Sequence, residues 1–317
     1  MSKVLVCGSF AFDIIMNFDD QFHRHLLSDQ LHQLNVSFLV SKMRREFGGC
    51  AGNIAYNLHF FDKSIVCPMG TVGADFSDYA ARFDKCGISI EHIRVIDSVF
   101  TAQAYITTDT NDNQITIFHP GAMNFSHENT VNQARDISIG IVSPDGKQGM
   151  IDHATQFSED GIPFMFDPGQ GMPMFDRADL LQFMDQATWM IFNAYEFELF
   201  KERTGQSLGD IRSQVSALIV TKGEHGSIIY TPDNAYEIPV VSVSPVNDPT
   251  GCGDAFRAGL LYGILNKLDW ETCGRMGSLM GAYKITTHGT QNHEIDRDQF
   301  LQRFAQEFGY EITNIQK

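Results

Sequence analysis

The sequence predicts an α/β fold, a sheet of buried strands flanked by helices, with a small separate β-sheet inserted near its start. Three observations predict it. Short apolar runs of strand length, such as Lys3-Val4-Leu5-Val6-Cys7 and Ala217-Leu218-Ile219-Val220-Thr221, alternate with longer helical stretches, which is the rhythm of βαβ units around a sheet covered on both faces. Several of these runs end in polar or glycine-rich loops, the end at which such sheets bind ligands. Two strand-rich patches in the first 120 residues break the rhythm and read as the inserted sheet.

The chain has 317 residues, 43% of them apolar, enough for a substantial core. Its net charge of −16 argues against nucleic acid or an anionic membrane as partner, because both require a basic face. The six cysteines, Cys7, Cys50, Cys67, Cys86, Cys252 and Cys273, are scattered without a C-x-x-C pair, as reduced thiols are and as disulfide or zinc frameworks are not. The N-terminal residues enter a strand-like run with no signal-peptide pattern, and no apolar run is long enough to span a bilayer, so a cytoplasmic location is the expectation.

In chain order, the first strand ends in Gly8-Ser9, with Asp13 close behind. Ser9 and Asp13 read either as contacts to ligand hydroxyls or as polar residues solvating a turn. No G-x-G-x-x-G follows this strand, which disfavours a dinucleotide fold. Ile14 to Phe18 and Val36 to Val40 read as strands, as do Thr101 to Thr107 and Gln114 to His119, the latter two joined by a turn at Asp109 to Asn113. Together they suggest a β lid formed by about 14–47 and 98–123. His23 and His25 lack a third ligand at metal-binding spacing and read as solvated histidines. A helix from Gly52 to Phe61 follows the Gly48-Gly49 turn; a strand from Ser64 to Gly70, a helix from Phe76 to Cys86 and a strand opening at Gly87-Ile88 come next. Ile139 to Ser143, Ile162 to Phe166, Trp189 to Phe192 and Ala217 to Thr221 are the later buried strands. The last three lead into Asp167-Pro168-Gly169-Gln170, Asn193-Ala194-Tyr195-Glu196 and Thr221-Lys222-Gly223-Glu224-His225-Gly226, which are binding loops by position.

The stretch from Asn247 to Gly259 is the most informative. Gly251 and Gly253 flank Cys252, and an apolar helical pattern begins at Ala255. A glycine turn entering a helix leaves backbone N–H groups free, and the helix dipole adds positive potential there, so the turn reads as an anion hole. By spacing alone, Asp254 is either a helix cap or a base that takes a proton from a hydroxyl attacking a bound phosphate. Beyond it, another helix from Thr272 to Thr287 is stopped by Gly289.

Asp248-x-Thr250-Gly251-x-Gly253-Asp254 resembles the second signature of the ribokinase (PfkB) family of carbohydrate and nucleoside kinases, and Gly48-Gly49-Cys50-Ala51-Gly52-Asn53 fits the first. The resemblance covers almost the whole chain. It implies a ribokinase-like fold, a Rossmann-like three-layer α/β/α body in a single kinase domain over 1–317, whose lid excludes water. It also implies phosphoryl transfer from ATP, with Mg²⁺, to a primary hydroxyl. Asp254 would then be the base, and the Gly251, Cys252 and Gly253 amides would face the transferring phosphoryl. Ser9, Asp13, Gly49 and Asn53 would hold the acceptor, with Gln170 a further contact by position. Asn193 and Glu196 resemble the motif that organises Mg²⁺ and phosphate through water; a capping box is the other reading of the same pair. Thr221, Gly223 and Gly226 resemble a nucleotide-binding turn. The stretch His288-Gly289-Thr290-Gln291 would border the adenine and one side of a monovalent-cation site, with Asp248 and Thr250 on its other edge and K⁺ the candidate ion.

Leu31 to Val40, Gly49 to Asn53, His119 to Met123 and Asp248 to Gly259 are similar to bacterial adenosine kinases, which implies adenosine as acceptor, its 5′-hydroxyl as nucleophile, and Phe38 and Phe118 stacking on the purine. Ala104 departs from that pattern, which has phenylalanine there, and Tyr105 points to the opposite strand face. A bare sugar such as ribose or fructose therefore stays open as acceptor, as does a non-catalytic nucleoside sensor. The edge strands of such a lid also suit coverage by a second subunit, a homodimer through the lid.

Overall fold

The strand that organises the molecule is β1 (Lys3–Cys7), whose alternate residues feed two different cores: Val4 and Val6 pack on one side and Leu5 and Cys7 on the other. That period-two split is what a strand covered on both faces must show. The computed structural model describes residues 2–26, 35–313 and 315. After β1 come β2 (Ala11–Asn17), β3 (Lys42–Gly48), α1 (Cys50–Leu58), β4 (Val66–Gly73), α2 (Ser77–Cys86), β5 (His92–Ile96), β6 (Ala102–Thr108) and β7 (Gln114–His119). The second half holds β8 (Ile137–Val142), α3 (Lys147–Glu159), β9 (Phe164–Phe166), α4 (Arg177–Gln186), β10 (Trp189–Asn193), α5 (Ala194–Thr204), α6 (Leu208–Gln214) and β11 (Ala217–Thr221). It ends with β12 (Ser227–Tyr230), β13 (Ala235–Ile238), α7 (Cys252–Leu265), α8 (Trp270–Lys284) and α9 (Arg297–Phe308).

Among the described residues the large sheet has nine strands in the order β13-β12-β11-β10-β9-β8-β1-β4-β5. Pairing is parallel from β5 to β11, and β12 and β13 close one edge antiparallel. Helices α1, α2, α7, α8 and α9 share one core with the sheet, and α3 to α6 share the other, which makes the three-layer α/β/α body of a ribokinase-like fold. The chain leaves β1 towards β4 and β5, then returns to β8 on its other side. That reversal opens a crevice at the carboxyl ends of β1 and β8. A second sheet, four-stranded in the order β3-β2-β6-β7, packs against the body.

Three expectations need correction. Val36 to Val40 is not a strand; Val36 is 38% and Leu39 89% exposed, so these apolar side chains find no sheet to cover. The strand is β3, whose polar Lys42-Met43-Arg44-Arg45-Glu46 is held by its ladder from Asn17↔Lys42 to Ala11↔Gly48 rather than by apolar burial. Leu31, His32, Gln33 and Leu34, part of the resemblance, lie outside the described residues. No strand opens at Ile88: Gly87 takes the left-handed cap of α2, Ile88 N–H bonds to Phe83 O, and the buried Ile88 is the apolar contact of that cap. The helix expected over Thr272 to Thr287 is α8, which ends at Lys284. The hairpin of β12 and β13 and the helix α9 went unread. Among the described residues no helix is long and apolar enough to cross a membrane.

Helices α7 and α8 meet at glycines. A Cβ on Gly259 would lie 2.6 Å from Met276 O, whereas one on Gly281 would meet Cys252 O at 3.7 Å. Gly259→Ala should therefore lower the unfolding free energy by about 1–3 kcal/mol through overpacking. Gly281→Ala should raise it by up to about 1 kcal/mol by removing helix-interior glycine entropy. Urea unfolding with an unchanged m-value checks both.

Candidate active site

Two helices enter the crevice by their N-termini. Helix α1 begins at Gly49, whose φ of 86° suits glycine and whose Cβ, if present, would lie 2.5 Å from Ser9 O. Ser9 is buried and holds this helix end: its Oγ accepts from Cys50 N–H at 3.2 Å and its carbonyl from Ala51 N–H at 3.0 Å. Helix α7 begins at Gly251, also left-handed with φ 78°. Its Cys252 amide donates to Pro249 O at 3.1 Å, closing the turn. Among the described residues no hydrogen bond occupies the Gly251 or Gly253 amide, which leaves these two for an anion.

Asp254 joins the two helices. Its Oδ2 accepts from Asn53 Nδ2 at 2.8 Å, and Asn53 Oδ1 accepts in turn from Gln291 Nε2 at 3.0 Å. The same Gln291 nitrogen donates to Tyr79 OH at 2.7 Å, and that hydroxyl donates to Gly48 O at 2.9 Å. Asn53 is therefore oriented by a buried chain of partners. Burial pushes the Asp254 carboxyl up to about 7, with Arg257 and the Asn53 bond working against the rise and Asp167 and Asp13 adding to it. A carboxylate that titrates near neutrality is matched to general-base work.

One turn along α7, buried Arg257 bonds to buried Asp167 in the loop after β9, through Nε to Oδ2 and through Nη2 to Oδ1 at 2.7 Å. A Cβ on Gly253 would lie 2.8 Å from Arg257 Nη1, so the third guanidinium nitrogen sits directly beneath the glycine turn. Removing either partner of such a pair strands a buried charge, at a cost of about 3–5 kcal/mol. Sequence reading took Asp167 as a loop residue and missed Arg257; its signal was a cation in an otherwise apolar helical run, three residues after Asp254.

The small sheet contributes a row of side chains. Glu46, Asp13, Ala104 and Phe118 are cross-strand neighbours on β3, β2, β6 and β7, so they share one face. The next positions on that face, among them Ile15, Arg44, Ile106 and Thr108, line a groove whose other wall is Asp248 to Thr250 and His288 to Thr290. Burial, with Glu46 and Asp248 nearby, raises the Asp13 carboxyl to about 6. Phe118 is 44% exposed and available to stack. Phe38 instead packs edge-on against Phe18 and Phe22 at ring distances of 5.0 and 5.1 Å, in a cluster at the end of β2.

The remaining positions lie along the carboxyl edge of the large sheet. Asn193 and Glu196 form a reciprocal capping box on α5: Glu196 N–H donates to Asn193 Oδ1 and Asn193 N–H to Glu196 Oε2, both at 2.8 Å. Burial raises the Glu196 carboxyl, and both Asp167 and Arg257 act on it, which sets it in the field of the α7 turn. Asn193 is the register partner of Thr221 on β11. Gly223 and Gly226 follow in a short 3₁₀ turn closed by Lys222 N–H to Gly226 O at 2.7 Å. Gln170 is exposed on the turn after β9. Asp248 is braced at both oxygens, by Thr250 N–H and by Gly289 N–H, each at 2.9 Å. Burial would raise its carboxyl, but these bonds outweigh it and hold the group low. Lys284, which sequence reading also missed, reaches the same turn from the end of α8: its Nζ donates to Asp248 O at 2.7 Å.

The profile of the pfkB family of carbohydrate kinases matches residues 1–297. A nucleoside kinase of Methanocaldococcus jannaschii is 30% identical over 306 residues, which span 96% of this chain and 97% of that protein. The structure of Burkholderia thailandensis nucleoside kinase in complex with inosine is 49% identical, with a TM-score of 0.88 over 97% of this chain and 99% of that one. The complex of the same enzyme with ADP-inosine gives a TM-score of 0.86. A ribokinase from Thermotoga maritima, at 19% identity and a TM-score of 0.80, shares the fold. With both signature turns at the mouth of one crevice and a family match over residues 1–297, the chain belongs to the pfkB family of carbohydrate kinases, phosphotransferases that take an alcohol group as acceptor.

Proposed function

We propose that the protein transfers the γ-phosphoryl group of Mg-ATP to the 5′-hydroxyl of a purine nucleoside. The observation that carries this reading is the row Asp13–Ala104–Phe118, which offers a carboxylate for ribose hydroxyls and an open aromatic face for a base on one face of the small sheet. The small side chain of Ala104 between them leaves room for a flat ring. The nucleoside kinase relatives support it, one of them solved with inosine. Adenosine is the acceptor the sequence favours, and inosine joins it as a candidate through that relative.

In this reading Asp254 takes the proton of the 5′-hydroxyl as its oxygen attacks the γ-phosphorus and ADP leaves. Asn53 orients one carboxylate oxygen, leaving Oδ1 for the nucleophile. The Gly251 and Gly253 amides, the α7 dipole and the Arg257 guanidinium beneath them supply positive potential to the transferring group. Among the described residues no group of three or more His, Cys, Asp or Glu side chains is arranged to hold a metal ion. Mg²⁺ is commonly held by one or two carboxylates together with substrate phosphates, so Glu196, whose box uses only Oε2, fits a water-mediated role. When bound, Mg²⁺ neutralises phosphate charge. Thr221, Gly223, Gly226 and Gly289 border the nucleotide, and the small sheet acts as a lid that keeps water from the phosphoryl group.

Asp254→Asn should cut kcat by about 10²–10⁴-fold while the melting temperature holds, read by ADP release and thermal denaturation; full turnover in that variant refutes the base assignment. Because only ionised Asp254 accepts the proton, kcat/KM in the wild type should fall as pH drops, with an acid limb centred near 7. Phe118→Ala should weaken nucleoside binding by about 1–3 kcal/mol, the worth of one base stack, and leave the KM of any bare sugar unchanged. In a panel of adenosine, inosine, guanosine, ribose and fructose, the purine nucleosides should give the highest kcat/KM. A bare sugar ahead of them would refute the acceptor assignment and leave the phosphotransfer chemistry standing.

A further inference from the structure

A monovalent cation between the Asp248–Thr250 turn and the segment after α8 is what the family resemblance implies, but the donor set found there is already taken. Lys284, in the last turn of α8, is fully buried. Its ammonium donates to Asp248 O at 2.7 Å and to Thr287 O at 3.3 Å, and lies 3.9 Å from Asp248 Oδ1. Two backbone carbonyls and a carboxylate, at the negative end of a helix, are what a potassium ion would seek. An ammonium brings the same single charge with three hydrogen-bond donors to point at them. A free cation entering beside it would meet like charge, from Lys284 and also from Arg44 on β3, which acts on the same group.

We propose that Lys284 is a tethered cation that replaces a free monovalent ion, so that this kinase needs no potassium. Its role is positioning. By holding Asp248 it steadies the carboxylate that braces Thr250 N–H and Gly289 N–H, and hence the turn that shapes the N-terminus of α7. The charge also balances Asp248 and Asp254, both of which act on the ammonium. The inference rests on the kinase chemistry proposed above, not on which nucleoside is phosphorylated.

The test compares wild type and Lys284→Ala in buffers whose only monovalent cation is tetramethylammonium, potassium or ammonium, with Mg-ATP and a purine nucleoside. Wild type should turn over equally in all three. Lys284→Ala should lose about 100-fold in kcat in tetramethylammonium, the scale of a misplaced catalytic group, and recover saturably with potassium or ammonium. Potassium should likewise raise the melting temperature of Lys284→Ala saturably, as a bound ligand does, and leave that of wild type unmoved. Wild-type turnover that requires potassium, or full activity of Lys284→Ala without it, overturns the proposal. Should the variant fail to fold, the wild-type arms decide alone. Absence of turnover with every nucleoside would count against the acceptor reading and leave the melting comparison to judge Lys284.

Discussion

Charge taken out of water at the N-terminus of α7 is the constraint on which the rest depends. Asp254, Arg257, Asp167 and Glu196 act on one another there, where the low dielectric magnifies every pairwise term. Partners come from other elements: Asn53 on α1 for Asp254, the loop after β9 for Arg257 and, beside the same turn, the end of α8 for Asp248. The network therefore ties together elements far apart in sequence. It also explains why a carboxyl with an ordinary amide partner titrates near neutrality, since desolvation outweighs the single hydrogen bond and the nearby guanidinium.

The two helix N-termini at the crevice have opposite uses despite their similar glycine entrances. That of α1 is filled by protein, because Ser9 bonds Cys50 and Ala51 with its side chain and carbonyl. That of α7 keeps the Gly251 and Gly253 amides clear, with a guanidinium below them. Of these two helix ends, the one with amides clear is that of α7, which carries Asp254 in its first turn. Phosphoryl transfer in the proposed reaction needs that juxtaposition of base and anion hole more than any covalent chemistry from the protein.

The small sheet shows how a face can be ordered on strands that bury little. β3 and β7 are largely exposed along their length, so apolar burial does not define them. Their ladders to β2 and β6 do. Register then decides which side chains meet, and a slip of one residue would turn Asp13 and Phe118 to the opposite face.

The sequence by itself determined the α/β class, the apolar strands of the large sheet and both glycine turns with their acids and asparagine, because hydrophobic periodicity and turn chemistry are local. It also exposed Ala104 as a departure. It did not determine β3, whose residues look like loop, nor the antiparallel β12 and β13, nor Ile88 as a helix cap rather than a strand, since each depends on pairing or packing partners elsewhere in the chain. Asn193 and Glu196 carried two readings at once, and the capping box is present in the fold. Only the tertiary structure gave Arg257 and Lys284 their partners. A basic residue in an apolar helix looks the same in sequence whether it reaches solvent or is buried, and the difference lies in Asp167 and Asp248, which folding brings to it from 90 and 36 residues away.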